Sequence, residues 1–183
     1  MKIRKDKGAV EYSMCIMLLT VSVLLILFCF RIRSARVEKI YLEDAQATAN
    51  LAAAVIDTDI YGETEELIIS DTLEAYERFK RSLKINLNLD DNFMPYDTFL
   101  MENQVEILEF HIYNVGKNTI THVVYDEHGS QSTEVLGLSG VTTPDGTVVE
   151  STTVYSKIEF DVKGFLSQRN RLTLENSVDV VKN

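Results

Sequence analysis

Two groups of side chains in the sequence have residue types that can bind a metal ion. The first lies at residues 57–62, which read DTDIYG and begin like an EF-hand calcium loop. Such a loop needs an oxygen ligand at its fifth position and a glutamate at its twelfth, and these positions hold Tyr61 and Ile68. We therefore interpret the segment as an acidic helix end rather than as a calcium site.

The second group is a pair of histidines in a predicted hairpin. His111 and His122 face each other if Asn114 lies opposite Thr119 across the turn. Two imidazoles without a nearby third ligand make a poor zinc site, because zinc in proteins usually has three or four protein ligands. The sequence accordingly predicts no metal and no cofactor.

Motifs for nucleophilic catalysis and phosphate binding are missing from the sequence. It contains no G-x-S-x-G and no glycine-rich phosphate loop. Cys15 and Cys29 lie in an apolar segment away from any histidine, so we expect them to be small apolar side chains facing lipid. Acylation of Cys29 is the alternative. We predict that the chain is not an enzyme and has no small-molecule substrate.

The charge of the chain is unevenly distributed. Its 183 residues, about one ordinary domain, include 28 acidic and 18 basic side chains. Residues 1–39 contain eight Lys/Arg and three Asp/Glu, a net charge of +5, whereas residues 40–183 contain ten and twenty-five, a net charge of −15. Because contacts to nucleic-acid phosphates are made mainly by Lys and Arg, the acidic part argues against a nucleic-acid partner.

The basic N-terminal region contains a long apolar segment. Residues 13–30 read SMCIMLLTVSVLLILFCF and carry no charge. With the apolar residues just before them, they reach the roughly 20 residues that a helix needs to cross hydrocarbon. We predict a basic leader over residues 1–8 and a transmembrane helix over residues 9–30. A buried core helix is the alternative.

The apolar segment is expected to stay in the mature protein, because no small-residue cleavage pattern of a secretory signal follows it. Basic residues flank it on both sides, and the free amino terminus makes the positive-inside rule favour a cytoplasmic N-terminus. We therefore expect a single-pass protein of the cell membrane, in contact with the lipid bilayer and with an extracytoplasmic domain.

Glu11 stands at the start of this apolar segment. Ionisable groups at membrane depth are costly and are usually functional, which marks Glu11 as a candidate site residue. The alternative is that Glu11 lies in the headgroup layer beside Lys7.

The string KDKGAVEY at residues 5–12, followed by the apolar run, resembles the class III signal of type IV pilins and pseudopilins. It is most similar to the Flp/TadE-like branch, which carries a Glu-Tyr pair like Glu11 and Tyr12. The resemblance implies a cut by a prepilin peptidase between Gly8 and Ala9, with methylation of the new amino terminus. It also implies that Glu11 meets that terminus on a neighbouring pilin-like subunit. Glu11 is the third residue after the cut, whereas these families usually place the glutamate fifth.

Helix breakers and hydrophobic periodicity predict the elements that follow. No Gly or Pro occurs over residues 9–61, so one helix is expected there, with residues 31–61 as its amphipathic continuation. Gly62 would end it. A shorter helix is predicted over about residues 71–84, with Asp71 as its N-cap.

The remainder of the sequence, over about residues 105–181, predicts five or six strands, mostly antiparallel. The expected strands cover residues 105–114, 119–126, 134–142, 147–156, 158–162 and 172–180. The fold class is therefore α+β: a long N-terminal helix, first transmembrane and then amphipathic, packed on the sheet of a domain that spans residues 62–183. This outline is pilin-like, and it favours a minor pseudopilin. The alternative is a non-polymerising, single-pass anchored interaction protein, or a component of a conjugation or secretion machine.

Overall fold

The computed structural model describes residues 4–97, 101–163 and 169–181, with the side chains of residues 4–9, 34–35 and 163 outside the description. The chain forms two compact units, Met1–Tyr41 and Leu42–Asn183. The described residues form three helices and five strands, which confirms the α+β class. The helices are α1 (Arg4–Ala53), α2 (Thr58–Thr64) and α3 (Thr72–Leu87). The strands are β1 (Glu106–Val115), β2 (Thr119–Asp126), β3 (Gln131–Gly137), β4 (Thr152–Lys163) and β5 (Arg169–Val180).

The first helix is shorter than expected. It ends at Ala53, so the predicted end at Tyr61 is wrong, and Gly62 lies inside α2. The break occurs because the carboxylate of Asp57 accepts hydrogen bonds from the backbone N–H groups of Asp59 and Ile60 and so starts a new helix. A side chain that caps the backbone locally can interrupt a helix without any Gly or Pro.

The third helix agrees with its sequence signals. Asp71 accepts a hydrogen bond from the backbone N–H of Glu74 at 2.9 Å, which confirms the predicted N-cap. The helix ends one turn later than expected, at Leu87, where Asn88 adopts a left-handed conformation with φ of 53°. Its buried stripe consists of Ala75, Tyr76, Phe79, Leu83 and Leu87.

All five strands form one antiparallel sheet in the order β3-β2-β1-β4-β5. The strands expected at residues 147–156 and 158–162 are one strand, β4, and the strand expected at 134–142 ends at Gly137. The turn at residues 144–146 therefore does not join two strands of the sheet. It is a local turn in which the N–H of Thr143 donates to the carbonyl of Thr147 and Gly146 has a φ of 89°.

One face of the sheet, the core face, packs within the second unit against residues 42–53 of α1 and against α3. The α1 stripe that it buries consists of Leu42, Ala45, Gln46, Ala49, Asn50 and Ala53. Leu51 and Val55, larger apolar residues of the predicted amphipathic continuation, are exposed. Small alanines allow the helix backbone to lie near the sheet, and Gln46 and Asn50 donate hydrogen bonds to carbonyl groups of β4 and β5.

Candidate functional site

The opposite face of the sheet carries a cluster of titratable and aromatic side chains. Because side chains alternate along a strand, His111 and Tyr113 of β1 share this face, which we call the polar face. Tyr113 is paired with His122 of β2, which is paired with Glu134 of β3. On the other side, His111 is paired with Tyr155 of β4.

The register of the first hairpin differs from the expected one. Asn114 is paired with Thr121 rather than with Thr119, because the N–H of Gly116 donates to the carbonyl of Thr119 and closes a tighter turn. A shift of two residues keeps every side chain on its face, so the two histidines are diagonal neighbours instead of direct partners. His111 and His122 still meet, with ring centroids 5.0 Å apart.

Two polar side chains, Tyr113 and Glu134, lie beside the contact between the histidines. The Nε2 atom of His122 lies 3.1 Å from the Nδ1 atom of His111, and the Tyr113 hydroxyl lies 3.2 Å from the same Nδ1. The ring of Tyr113 stacks on His122 at a centroid distance of 4.2 Å. On its far side, Nδ1 of His122 lies 2.7 Å from a carboxylate oxygen of Glu134.

The sequence interpretation named the two histidines and missed Tyr113, Glu134 and Tyr155, of which Tyr113 had a signal in the sequence. It is two residues from His111, and this spacing in a strand is a signal that both side chains lie on one face. The correct register is also needed to find it, because only that register places Tyr113 directly opposite His122.

Burial sets the protonation of the cluster. His111 is 7% exposed and Tyr113 is 3% exposed. Burial, together with the nearby His122, lowers the pKa of His111 to about 4, so its imidazole is neutral at pH 7. Burial and the charges of Glu134, Asp145 and Glu109 raise the pKa of Tyr113 to about 12.

Part of the polar face is covered by the loop over residues 138–151. Val149 and Val141 pack in a small apolar cluster with Tyr113 and Tyr155. The same loop is attached to β5 by a hydrogen bond of 3.0 Å from the Ser177 hydroxyl to the carboxylate of Asp145. The hydroxyl of Tyr155 is fully buried and has no hydrogen-bond partner in the described part of the chain. Burial raises its pKa further above the usual range of a phenol.

The segment at residues 57–62 is the N-cap and first part of α2, so it starts a new helix instead of ending the first one as expected. One oxygen of Asp57 caps α2, and the other accepts a hydrogen bond of 2.6 Å from the hydroxyl of Ser70. These bonds, that of Ser70 first, lower the pKa of Asp57. Over residues 4–97, 101–163 and 169–181, no group of three or more His, Cys, Asp or Glu side chains is arranged to hold a metal ion.

The predicted processing residues lie in α1 and belong to the first unit. Gly8 and Ala9 have helical backbone, and their surroundings are outside the description, as are residues 1–3 of the leader. Glu11 and Tyr12 are both exposed. The histidine cluster belongs to the second unit.

The apolar segment is exposed throughout its most hydrophobic part. Among the described residues, one helix is long and apolar enough to cross a membrane. It covers Val10–Ala53, with a mean hydropathy of 2.7 in a stretch of which none is buried. Cys15 and Cys29 are exposed free thiols within it. Comparisons with known protein families, with curated proteins and with solved structures find no match for the chain, so its function has to be inferred from its own residues.

Proposed function

We propose that the chain is a pilin-like subunit, of the minor pseudopilin type, in a Tad or type IV pilus-like surface or secretion assembly. A prepilin peptidase would process it after Gly8, and the helix that follows would anchor it in the cell membrane with its N-terminus in the cytoplasm. The observation that carries the proposal is the unburied apolar run of α1 that directly follows the Gly-Ala-Val-Glu-Tyr string of residues 8–12.

The exposed apolar side chains of the first unit require an apolar environment. Leu19 is 68% exposed and Phe30 is 67% exposed, and their neighbours in the segment are similar. Leaving such side chains in water costs about 25 cal/mol for each Å² of apolar surface, which sums to many kcal/mol over a whole helix. A lipid bilayer removes that cost, and α-helices satisfy their own backbone groups within it.

The second unit supports an assembly role. Residues 42–53 of α1 are fixed to the sheet by Gln46 and Asn50, whereas Leu51 is 58% exposed on the same stretch of helix. Val55, just after the helix, is exposed as well.

The N-terminal residue of the membrane-extracted protein tests the proposal. In cells that contain a prepilin peptidase, we expect mature protein that begins at Ala9, as measured by mass spectrometry. Gly8→Val should leave full-length protein in the membrane, because a side chain would collide with a peptidase site adapted to glycine. Gly62→Val is the matched control, since an added Cβ at Gly62 meets nothing within 4 Å. An N-terminus at Met1 in the parent protein would contradict the proposal.

A second candidate is a non-polymerising, single-pass interaction protein, possible also within a conjugation or secretion machine. The observation that favours it is the position of Glu11, third rather than fifth after the expected cut. Co-purification with other pilin-like subunits after mild detergent extraction separates the two functions. Loss of co-purification in Glu11→Gln, at equal membrane abundance, supports a subunit of an assembly. Equal recovery supports the anchored interaction protein.

A further inference from the structure

Three arginines follow the apolar segment of α1 without an acidic partner. Arg31, Arg33 and Arg36 are exposed, and they form no ion pair or hydrogen bond with the described residues. We propose that these three side chains, the arginine collar, bind the phosphate of an anionic phospholipid headgroup in the leaflet beside them. The inference rests on the membrane anchor of the proposed function and adds the class of lipid that this anchor selects.

The length of the uncharged run places the arginine collar at the depth of the lipid phosphates. The 19 residues between Glu11 and Arg31, residues 12–30, carry no charge. At about 1.5 Å per residue, a helix of this length spans about 29 Å, close to the roughly 30 Å of a bilayer's hydrocarbon core. With this run in the hydrocarbon, Arg31 lies at its boundary, and Arg33 and Arg36 follow about 3 and 7.5 Å further along the axis.

The neighbours of the arginine collar along α1 do not neutralise it. Side chains three and four residues apart are neighbours on a helix, and no Asp or Glu stands at that distance from any of the three arginines. The helix α3 provides the contrast, because Arg78 there pairs with Glu74 at 3.0 Å and Lys80 pairs with Glu77. The collar therefore takes its counter-ion from outside α1.

Two of the three arginines can share one phosphate. Arg33 and Arg36 are three residues apart, so their side chains leave the helix on one side, whereas Arg31 lies on the other side. Like charges that are neighbours on a helix repel each other. A phosphate between Arg33 and Arg36 removes this repulsion, and each planar guanidinium group can donate two parallel hydrogen bonds to its oxygens.

The surroundings of the collar favour an anionic lipid over a zwitterionic lipid or a free phosphate ion. A zwitterionic headgroup pairs its phosphate with its own ammonium group, whereas phosphatidylglycerol leaves the phosphate charge uncompensated. Each Lys or Arg near an anionic lipid surface strengthens binding by about fivefold. Phe30, just before the collar, is 67% exposed and lies where the acyl chains of a bound lipid would be. A free phosphate ion gains nothing from that apolar surface.

The chain provides its own reporter for a test. Cys29 is an exposed free thiol, four residues before Arg33 and seven before Arg36, so all three lie on one side of α1. Full-length protein with Cys15→Ser is labelled with a fluorophore on Cys29 and reconstituted in phosphatidylcholine vesicles. Quenching by phosphatidylglycerol with brominated acyl chains, compared with quenching by brominated phosphatidylcholine, measures which lipid occupies the adjacent site.

At low ionic strength we expect this site to bind phosphatidylglycerol more tightly than phosphatidylcholine. Arg33→Gln combined with Arg36→Gln should weaken phosphatidylglycerol binding about 25-fold, at about fivefold for each arginine, and leave phosphatidylcholine binding unchanged. Arg81→Gln is the matched control, since Arg81 is also exposed and without a partner among the described residues but lies in the second unit. It should keep the preference of the parent protein.

Three outcomes would overturn the inference, and a separate measurement tests the anchor. Equal quenching by the two lipids in the parent protein, or an unchanged preference in the double variant, would contradict a headgroup site at the collar. Displacement of phosphatidylglycerol by sodium phosphate, beyond the effect of sodium chloride at equal ionic strength, would show a site for free phosphate instead. Loss of the parent protein from the vesicles on alkaline washing would contradict the anchor and with it the proposed function. Firmly anchored protein without a lipid preference would contradict the lipid inference alone.

Discussion

The two faces of the sheet carry different kinds of side chains on the same strands. On the core face, Phe110 lies against the rings of Tyr76 and Phe79, with centroids 5.2 and 4.9 Å away, under two helices. On the polar face, the next residue, His111, is surrounded by a histidine, two tyrosines and a carboxylate, and the cover is a loop. One face holds the fold together through apolar area. The other brings polar atoms of several side chains to short distances, among them Nδ1 of His111 and Nε2 of His122 at 3.1 Å.

The largest loss of free energy of unfolding is expected from a substitution on the core face. Phe110 is fully buried, so Phe110→Ala removes a ring and leaves a cavity, which typically lowers the free energy of unfolding by about 3–5 kcal/mol. Guanidinium denaturation of the full-length protein, followed by circular dichroism, measures it. Leu73→Ala on the exposed side of α3 is the control and should change the free energy by less than about 0.5 kcal/mol. Equal effects of the two changes would show that α3 does not cover this face.

Gln46 is one of the two polar residues in the buried stripe of α1, and its replacement should give the next largest loss of stability. Its side-chain amide is fully buried and donates to the carbonyl and the hydroxyl of Ser156, each at 3.0 Å. Gln46→Ala should lower the free energy of unfolding by about 1–3 kcal/mol, because it leaves part of these acceptors unpaired. Gln46→Met, which restores volume without hydrogen bonds, should recover some of the loss. Full recovery by Met would mean that packing alone holds α1 on the sheet.

Much of the fold was predictable from local signals, and the errors came from contacts between distant residues. The period of two identified β2 from its first residue to its last, and Asp71 identified the start of α3. The end of α1 was missed because Asp57 had been considered as a metal ligand and a helix residue; it caps α2 through one oxygen, while the distant Ser70 binds the other. The buried stripe of α1 was missed because Gln46 and Asn50 are polar, and their partners on β4 and β5 are more than a hundred residues away.

The candidate sites were predictable to different extents. Alternation along the two strands placed His111 and His122 on one face, but the register expected to pair them was wrong, and they meet as diagonal neighbours. Tyr113 depended on a turn that closes at Gly116 and Thr119, a detail that the sequence does not specify uniquely. The role of Gly8 and Glu11 stays a prediction, since a processing event leaves no trace in the packing of one chain.

Replacing a tyrosine by phenylalanine should change the free energy of unfolding differently on the two faces of the sheet. The hydroxyl of Tyr125 on the core face lies 3.1 Å from that of Thr72, so Tyr125→Phe should lower the free energy of unfolding by about 1 kcal/mol. The hydroxyl of Tyr155 on the polar face is buried without a partner among the described side chains, so Tyr155→Phe should leave stability unchanged or raise it by about 1 kcal/mol. Paired denaturation curves measure both. A clear loss in Tyr155→Phe would show that this hydroxyl has a partner, such as bound water.

The smallest expected change in the free energy of unfolding comes from the loop that covers the polar face, and this change depends on pH. Partial burial acts to raise the pKa of Asp145, but hydrogen bonds from Thr143, Thr147 and Ser177 outweigh burial and hold it below its usual range. A carboxyl whose pKa is lower in the folded state stabilises the protein above its unfolded-state pKa, and this contribution disappears as the pH falls through the folded-state value.

Ser177→Ala removes one of those bonds, so the pKa of Asp145 should rise towards its ordinary value. The free energy of unfolding should fall by less than about 1 kcal/mol at about pH 7, because the group is mostly solvent-exposed and its interactions are screened. Near about pH 2, where the carboxyl is protonated in both states, the variant and the parent should differ less. Carboxyl chemical shifts from an NMR titration measure the pKa, and Ser132→Ala, at an exposed position on β3, is the control. A difference in stability that persists unchanged at low pH would mean that Ser177 holds the loop through its contact with the Thr147 hydroxyl, 3.3 Å away, rather than through the charge of Asp145.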